Sequence, residues 1–398
     1  MRILYILPFV PWPLRVRSYN LIPRLAQDHE IYLVCLSSST EEDSRAESVR
    51  KYCRHLELVR HRRWKAFLQC ALALVTPIPL RIAYFFSAKM LGHVQRAAAE
   101  FSPDLIYVER WRALQYVPSD VSAPVVCDPT DSMLLYNDRL MRTGSWWERL
   151  VGLEESLKFR SYEGKLAKQA GIVVFCSRVD LEYVRKTAPA ARYALVANGV
   201  DREAFFPKNL QDEVPDTIVF TGNFGYGPNR HAVHFFLQEI FPLIRKSIPN
   251  AKFLAVGRKA NRYLANHAQE IAGFEIIDFV PELRSYLARA AVAVVPITVG
   301  AGVSNKLAEA FATGTAVVST TLACGDMPVR DGEHLLLADE PAVFASKVVH
   351  LLGNPDLRLQ LAGRASKLVE ELYDWKIVSR SMEQVMLELA RDARTVER

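Results

Sequence analysis

The segment ITVGAGVSNKLAEAFATGTAVVST, residues 297–320, decides how the chain folds. It closes one apolar run, turns through Gly300 and Gly302, winds into a short helix and enters a second apolar run. Strand, helix and strand in such close succession form the unit from which parallel sheets are built. Within the helix, Leu307 and Phe311 lie four apart and face inward, whereas Lys306 and Glu309, three apart, share another face. A helix that only packs needs neither a glycine-bearing entry nor a carboxylate in its first turns. Behind a buried strand, this pair suits a ligand anionic at one end and hydroxylated at the other. Helix amides and Lys306 would take phosphate, and Glu309 would accept from neighbouring hydroxyls of a ribose. The plainer reading is a surface ion pair contributing about 0.2–0.5 kcal/mol.

The same alternation extends in both directions. RILYIL, EIYLVCL, LELVR, LIYVE, PVVCD, GIVVFCS and YALVANG read as strands, separated by helices over 18–27, 44–52, 89–100 and 147–168. After Pro215 the pattern restarts with TIVFTGN, AKFLAVG, FEIIDFV, VAVVPI and TAVVST, and helices over 229–247 and 282–290 lie among them. Residues 202–215 are polar, contain Pro207 and Pro215 and break the periodicity, so they mark a boundary. The expected class is α/β: two doubly wound parallel sheets, over 1–201 and 202–375, facing a central cleft at the carboxyl ends of their strands. A closing helix, about 376–398, is expected to return to the first domain.

Of 398 residues, half are apolar and 24% are charged, the balance of a soluble folded chain long enough for two domains. The net charge of +6 suits a polyanionic ligand or an acidic membrane surface. It does not single out nucleic acid, and no nucleic-acid partner is expected. Six cysteines stand far apart without CxxC or Cys/His spacing, so they read as reduced thiols in a cytoplasmic setting. The opening MRILYILPFVPWP holds three prolines and no small-residue cleavage site, which reads as a first strand and not as a secretory leader. The longest apolar run, AFLQCALALVTPIPL, is too short and proline-broken to span a membrane.

Three further stretches carry candidate chemistry. In TIVFTGNFGYGPNRHAVHFF a strand runs through Gly222, Gly225 and Gly227 into a helix opened by Asn229. Glycines there let backbone approach a ligand, and free helix amides favour phosphate; tight turns are the alternative. The spacing is not GxGxxG, and no acidic residue follows a second strand at the expected distance, which disfavours NAD. FLAVGRK ends a strand in Gly257 and Arg258, an arginine placed either to reach a pyrophosphate or to stay solvated. APVVCDPTDSMLLYNDR ends a strand at Asp128 and continues to Asp131, which reads first as the cap of the next helix. Glu109 and Arg110 close LIYVER similarly, with ion pairing as the bland role. No His/Asp cluster shows metal-ligand spacing.

Together these stretches resemble glycosyltransferases of family 4, which share the GT-B fold of two Rossmann-like domains. LVANGVDREAFFP, residues 195–207, is similar to the family's interdomain hallmark, and residues 304–339 resemble its nucleotide-sugar signature. FTGNFGYGPNRHAVHFF and LVEELYDW look like the subgroup that makes bacterial exopolysaccharide and related surface glycans. The resemblance implies retaining transfer from a nucleotide-sugar donor to a glycan or lipid-linked acceptor, without metal or other cofactor. By position it implies that Glu309 holds the ribose hydroxyls, while Arg258 and Lys306 stabilise the diphosphate beside Gly222 and Asn223. Backbone at Phe279 and Val280 would hold the base, and Gly302, Val303 and Ser304 would face the donor sugar. Asp131 or Asp128 would orient or deprotonate the acceptor hydroxyl, with Glu109 at a similar strand end.

The sequence departs from the family twice. Ala301 stands eight residues before Glu309, where a glutamate is common. PWPLRVRSYN places Arg15 and Arg17 where paired glycines are usual, which favours a phosphorylated acceptor. Basic residues Arg60, Arg62, Arg63 and Lys65 lead into Trp64, Phe67 and Leu68, either a patch for acidic lipid or a solvated loop before a buried helix. The first would make the protein peripheral at the inner face of a membrane. Two rival functions stay open on the same fold: a nucleotide-sugar epimerase or hydrolase, and an idle nucleotide-sugar-binding scaffold.

Overall fold

The computed structural model describes residues 1–13, 15–143, 146–299 and 305–396. Two compact units emerge, each built on its own sheet. The first comprises Met1–Ala197 with Val378–Arg398, and the second Asn198–Ile377.

In the first unit, β1 (Arg2–Leu7), β2 (Glu30–Ser37), β3 (His55–Arg60), β4 (Leu105–Glu109), β5 (Val125–Thr130), β6 (Ile172–Phe175) and β7 (Tyr193–Leu195) lie in the order β3-β2-β1-β4-β5-β6-β7. In the second, β8 (Val214–Thr221), β9 (Lys252–Val256), β10 (Phe274–Ile277), β11 (Ala290–Val295), β12 (Ala316–Ser319) and β13 (Leu336–Leu337) follow as β10-β9-β8-β11-β12-β13. Every pairing in both sheets is parallel. Each unit therefore winds outward from a central strand, returns, and winds out on the other side. The reversals fall between β1 and β4 and between β8 and β11, the places where doubly wound sheets open a crevice for ligands. The α/β class with two such parallel sheets, expected from the alternation, is what the chain adopts.

Burial explains why these strands read as continuous apolar runs instead of alternating ones. Ile3–Leu7 and the whole of β11 are buried, because helices cover both faces of a parallel sheet. Only β13 escaped the sequence reading; two leucines at a sheet edge carry no periodicity.

The boundary falls at 197/198, four residues before the expected position. The cause is local pairing. Val200 bridges Asp374, its amide donates to the Tyr373 carbonyl at 2.7 Å, and a Cβ on Gly199 would stand 2.7 Å from the Trp375 ring. The segment therefore belongs with the second unit. Helix Trp375–Val396 crosses back: its residues from Val378 onward fall in the first unit, where Met382, Met386 and Leu389 are buried and His29 pairs with Glu383 at 2.8 Å. The helix expected over 229–247 spans Gly227–Ser247 with a π turn at Phe236–Ile240, just before Pro242, whose ring nitrogen has no hydrogen to give the preceding turn. No helix among the described residues is long and apolar enough to cross a membrane.

Two glycines set how closely the second unit's loops approach. Gly257, after β9, has φ +140°, and a Cβ there would fall 2.0 Å from the Gly222 carbonyl after β8. Gly257→Ala is expected to cost at least about 3 kcal/mol in urea unfolding, from strain plus overlap. Gly92→Ala, in open space on helix Ala88–Phe101, should gain about 0.4–1 kcal/mol. Equal effects would show that the two loops do not meet as described.

Candidate functional site

In the second unit the loops after β8, β9 and β10 are tied into one ladder at the carboxyl edge of the sheet. Gly222 N donates to Val256 O at 2.9 Å, Gly257 N to Ile277 O at 2.9 Å, and Phe224 N to Arg258 O at 2.9 Å. The next element inward is helix Asn305–Thr313, which follows β11 across the switch point. Leu307 and Phe311 anchor it in the core, as the periodicity requires. Lys306 and Glu309 are left half-buried on its other side.

One buried side chain joins these parts. Asn229, in the first turn of helix Gly227–Phe235, donates from Nδ2 to Asn223 O at 2.9 Å and accepts at Oδ1 from Lys306 Nζ at 3.0 Å. Gly222 must be glycine here, since a Cβ would meet Asn229 Nδ2 at 2.8 Å. The ammonium also lies 5.2 Å from the Phe220 ring centroid. The sequence reading took Asn229 as a cap. Its bridging role has no local signature, because the partner lies 77 residues away.

The electrostatics of the pair set it apart from an ordinary surface contact. Burial pulls the Lys306 ammonium down to about 8, with Glu309 opposing. Burial pushes the Glu309 carboxyl up to about 7, with Lys306 opposing. Lys306 is spent on Asn229, and the Glu309 carboxylate has no hydrogen bond among the described residues; only its backbone carbonyl is engaged, by Thr313 Oγ1 at 2.8 Å. A buried charge without partners is costly, and a ligand that supplies donors to one group and negative charge to the other relieves both. Half-buried Arg258 stands at the end of β9, and Phe279, 61% exposed, beyond β10 beside Val280. Gly302, Val303 and Ser304, with Gly300 and Ala301, lie outside the described residues.

The first unit treats its strand-end charges differently, and several expectations change. Arg17 is not on an open basic loop. It sits in the first turn of helix Val16–Leu25, faces the sheet and is buried, with Nε on Asp128 Oδ2 and Nη1 donating to Ala197 O at 3.1 Å. Asp128 is wholly buried and also accepts from the Tyr107 hydroxyl. This is an internal ion pair; breaking it costs about 3–5 kcal/mol, and neither member is placed to meet an acceptor. Glu109 likewise turns inward and accepts from Ser18 Oγ; burial pushes its carboxyl up against the pull of Arg110. Asp131 does not cap. Ser132 does, accepting from Leu135 N at 3.2 Å, while Asp131, with its side chain 45% exposed, takes Arg110 Nη1 at 3.1 Å. Glu163, buried and pushed up to about 7 by burial, accepts from Met133 N at 2.9 Å at the start of that helix, a role sequence reading missed. Arg15 is exposed over the Phe9 ring at 4.7 Å. Among the described residues no group of three or more His, Cys, Asp or Glu is gathered as a metal site.

Residues 215–354, all within the second unit, match the family model of Glycosyl transferases group 1. The family resemblance drawn from the sequence thus stands on this segment. A phosphatidyl-myo-inositol mannosyltransferase of Mycolicibacterium smegmatis is 29% identical over 236 residues, covering 57% of this chain and 58% of that protein. The chain therefore matches a little over half the length of this curated relative. Among solved structures, sucrose-phosphate synthase from Thermosynechococcus elongatus superposes with a TM-score of 0.74 at 16% identity, over 98% of this chain and 99% of that one. Anabaena HepE in complex with UDP and glucose does so with 0.67 at 15% identity, over 98% and 100%. These structural likenesses concern the fold, and they identify it as GT-B.

The Glu309 environment makes a stability prediction. Because its carboxyl titrates higher in the folded chain than the usual ~4.3, the stability it lends is full below that value and is lost as pH rises through about 7. Glu309→Gln should therefore match the parent at pH 4.5 and exceed it by about 2–3 kcal/mol at pH 8 in denaturant titrations. A variant weaker than the parent at pH 8 would mean that the carboxylate is satisfied in the ligand-free protein.

Proposed function

We propose that this chain, built on the GT-B fold with a group 1 glycosyl transferase segment, moves a sugar from a nucleotide-sugar donor to a hydroxyl acceptor. The transfer retains anomeric configuration and serves polysaccharide or glycolipid assembly of the bacterial surface-glycan kind. The observation that carries the reading is the switch-point arrangement: an ammonium held by Asn229 and, three residues on, a half-buried carboxylate without a donor among the described residues. HepE, which shares the fold, holds UDP and glucose, and this supports a nucleotide-sugar ligand.

In this reading Glu309 accepts from the two ribose hydroxyls. Lys306 and Arg258 meet the diphosphate beside the Gly222–Asn223 backbone, and the loop at Phe279 and Val280 takes the base. As the anomeric C–O bond breaks, negative charge grows on the leaving phosphate, and the two cations stabilise it without a metal ion. The acceptor oxygen bonds to the anomeric carbon on the face the phosphate leaves, and its proton passes to that phosphate. On the acceptor side Asp131, with Arg110 holding it, orients the hydroxyl; Asp128 is withdrawn from this role by its burial.

The acceptor is a glycan or a lipid-linked sugar, worked on at the cytoplasmic face of a membrane. Helix Arg63–Ala73 buries only Ala66 and Ala73, and it exposes Trp64, Phe67 (66%), Leu68 and Leu72 (69%). Helix Trp146–Gln169 adds exposed Leu150, Leu153 and Leu157, joined to the first helix by Lys158 Nζ on Ala73 O at 2.7 Å. Between Glu57 and Glu100 there is no acidic residue, while Arg60, Arg62, Arg63, Lys65, Arg81, Lys89 and Arg96 are all basic. An apolar face in a basic field fits an anionic lipid surface.

Two experiments test this reading. In a screen of UDP-, GDP-, ADP- and TDP-sugars, one donor should raise the melting temperature and support transfer to a lipid-linked sugar pool. Glu309→Ala should lower the transfer rate at least about a hundredfold, and a chelator should leave it unchanged. Donor binding without transfer, or nucleotide release without acceptor, would replace the proposal with the scaffold or the hydrolase. Separately, the protein should sediment with phosphatidylglycerol vesicles, release as salt rises, and fail to bind when Phe67 and Leu72 are changed to Asp. Sedimentation equal on phosphatidylcholine would remove the membrane contact.

A further inference from the structure

The first unit holds a guanidinium that its own structure does not neutralise. Arg112 lies in the 3-10 helix Trp111–Tyr116, directly after β4 at the β1/β4 reversal. Gln115 Nε2 donates to Arg112 O at 2.7 Å and to Ile82 O at 3.1 Å, and the Tyr116 hydroxyl donates to Phe85 O, so this turn is fixed against helix Leu80–Tyr84. The Arg112 guanidinium then sits over the Phe85 ring, 4.1 Å from its centroid. Its Nε is buried without a partner, and among the described residues Arg112 makes no ion pair and donates no side-chain hydrogen bond.

Its neighbours are cations. After burial, the charges of Arg110, Arg15 and Arg81 are the largest influences on Arg112 and bring it down to about 9, with Glu109 opposing. Arg110 is matched by Asp131 at 3.1 Å, and Arg81 by Glu155 at 3.7 Å. Arg15 rests on Phe9 with no ion pair among the described residues. Two guanidiniums in one neighbourhood thus lack an ion-pair partner among the described residues, and one of them is positioned over an aromatic ring. A planar, pre-oriented fork matches the oxygens of a phosphate group, and two unmatched positive charges match a dianion.

We infer that Arg112 and Arg15, flanked by Arg110 and Arg81, form a phosphate-binding site in the first unit, for a phosphate monoester or diphosphate carried by the acceptor. The site replaces the Arg15–Arg17 pair expected from the sequence, since Arg17 is committed to Asp128. Its assignment to the acceptor rests on the proposed transfer; the binding of phosphate does not.

The test uses the full chain and phenyl phosphate, followed by calorimetry. Arg112→Gln should weaken binding roughly tenfold or more, and Arg15→Gln roughly threefold or more. Arg112→Gln relieves like-charge repulsion, so its melting temperature should equal or exceed the parent's. Should it misfold, Arg15→Gln, at an exposed position, decides the matter alone. Unchanged affinity in the folded variants, or no binding by the parent at about 10 mM, overturns the site. A second arm uses phosphatidylcholine vesicles with and without phosphatidic acid. Tighter binding to the lipid-borne monoester than to phenyl phosphate, lost in Arg112→Gln, assigns the phosphate to a lipid. An Arg112 effect on vesicles alone, with none on phenyl phosphate, reports diffuse surface charge and overturns the site. Phosphate binding without any sugar transfer would remove the proposed reaction and leave the site, whereas transfer without phosphate binding would do the reverse.

Discussion

A parallel sheet covered on both faces has no polar surface of its own, and this constraint governs the whole molecule. Its central strands are apolar on both sides, so groups that can do chemistry gather at the strand ends and in the loops that follow them. The switch in winding direction then leaves one point per sheet where neighbouring loops diverge. In the second unit that point holds Gly222, Asn229 and helix Asn305–Thr313; in the first it holds Glu109, Arg110 and the turn bearing Arg112.

The two units use their strand-end charges in opposite ways. The first closes most of them on each other: Arg17 on Asp128, Ser18 on Glu109, Arg110 on Asp131. Such contacts fix loop geometry, and they leave Arg112 and Arg15 without an ion pair among the described residues. The second keeps Lys306 and Glu309 half-buried and apart from each other, which holds both pKa values near neutrality. A charge kept desolvated, as on Glu309, destabilises a free protein and is relieved by ligand. That contrast supports assigning donor chemistry to the second unit.

Much of this was legible in the sequence because it is periodic. Apolar runs announced twelve of the thirteen strands, and the four-residue spacing of Leu307 and Phe311 fixed which face of their helix carried Lys306 and Glu309. What was not legible depends on partners far along the chain. Asp128 and Arg17 are separated by 111 residues, and each alone looks like an exposed polar group at a loop. Asn229 looked like a cap for the same reason. Asp131 and Ser132 are both good capping types, and only the backbone path decides between them. The boundary slipped because the Asn-Gly-Val-Asp segment reads as the tail of the first domain's last strand until its pairing with Asp374 is seen.

Helix Trp375–Val396 gives the molecule an order of assembly. Its buried methionines and Leu389 complete the first unit, yet they are translated only after the whole of the second. A ribosome therefore releases a finished second unit while the first still waits with an uncovered apolar flank. The unit made earliest matures last, and its nascent form is the one that needs shelter from aggregation.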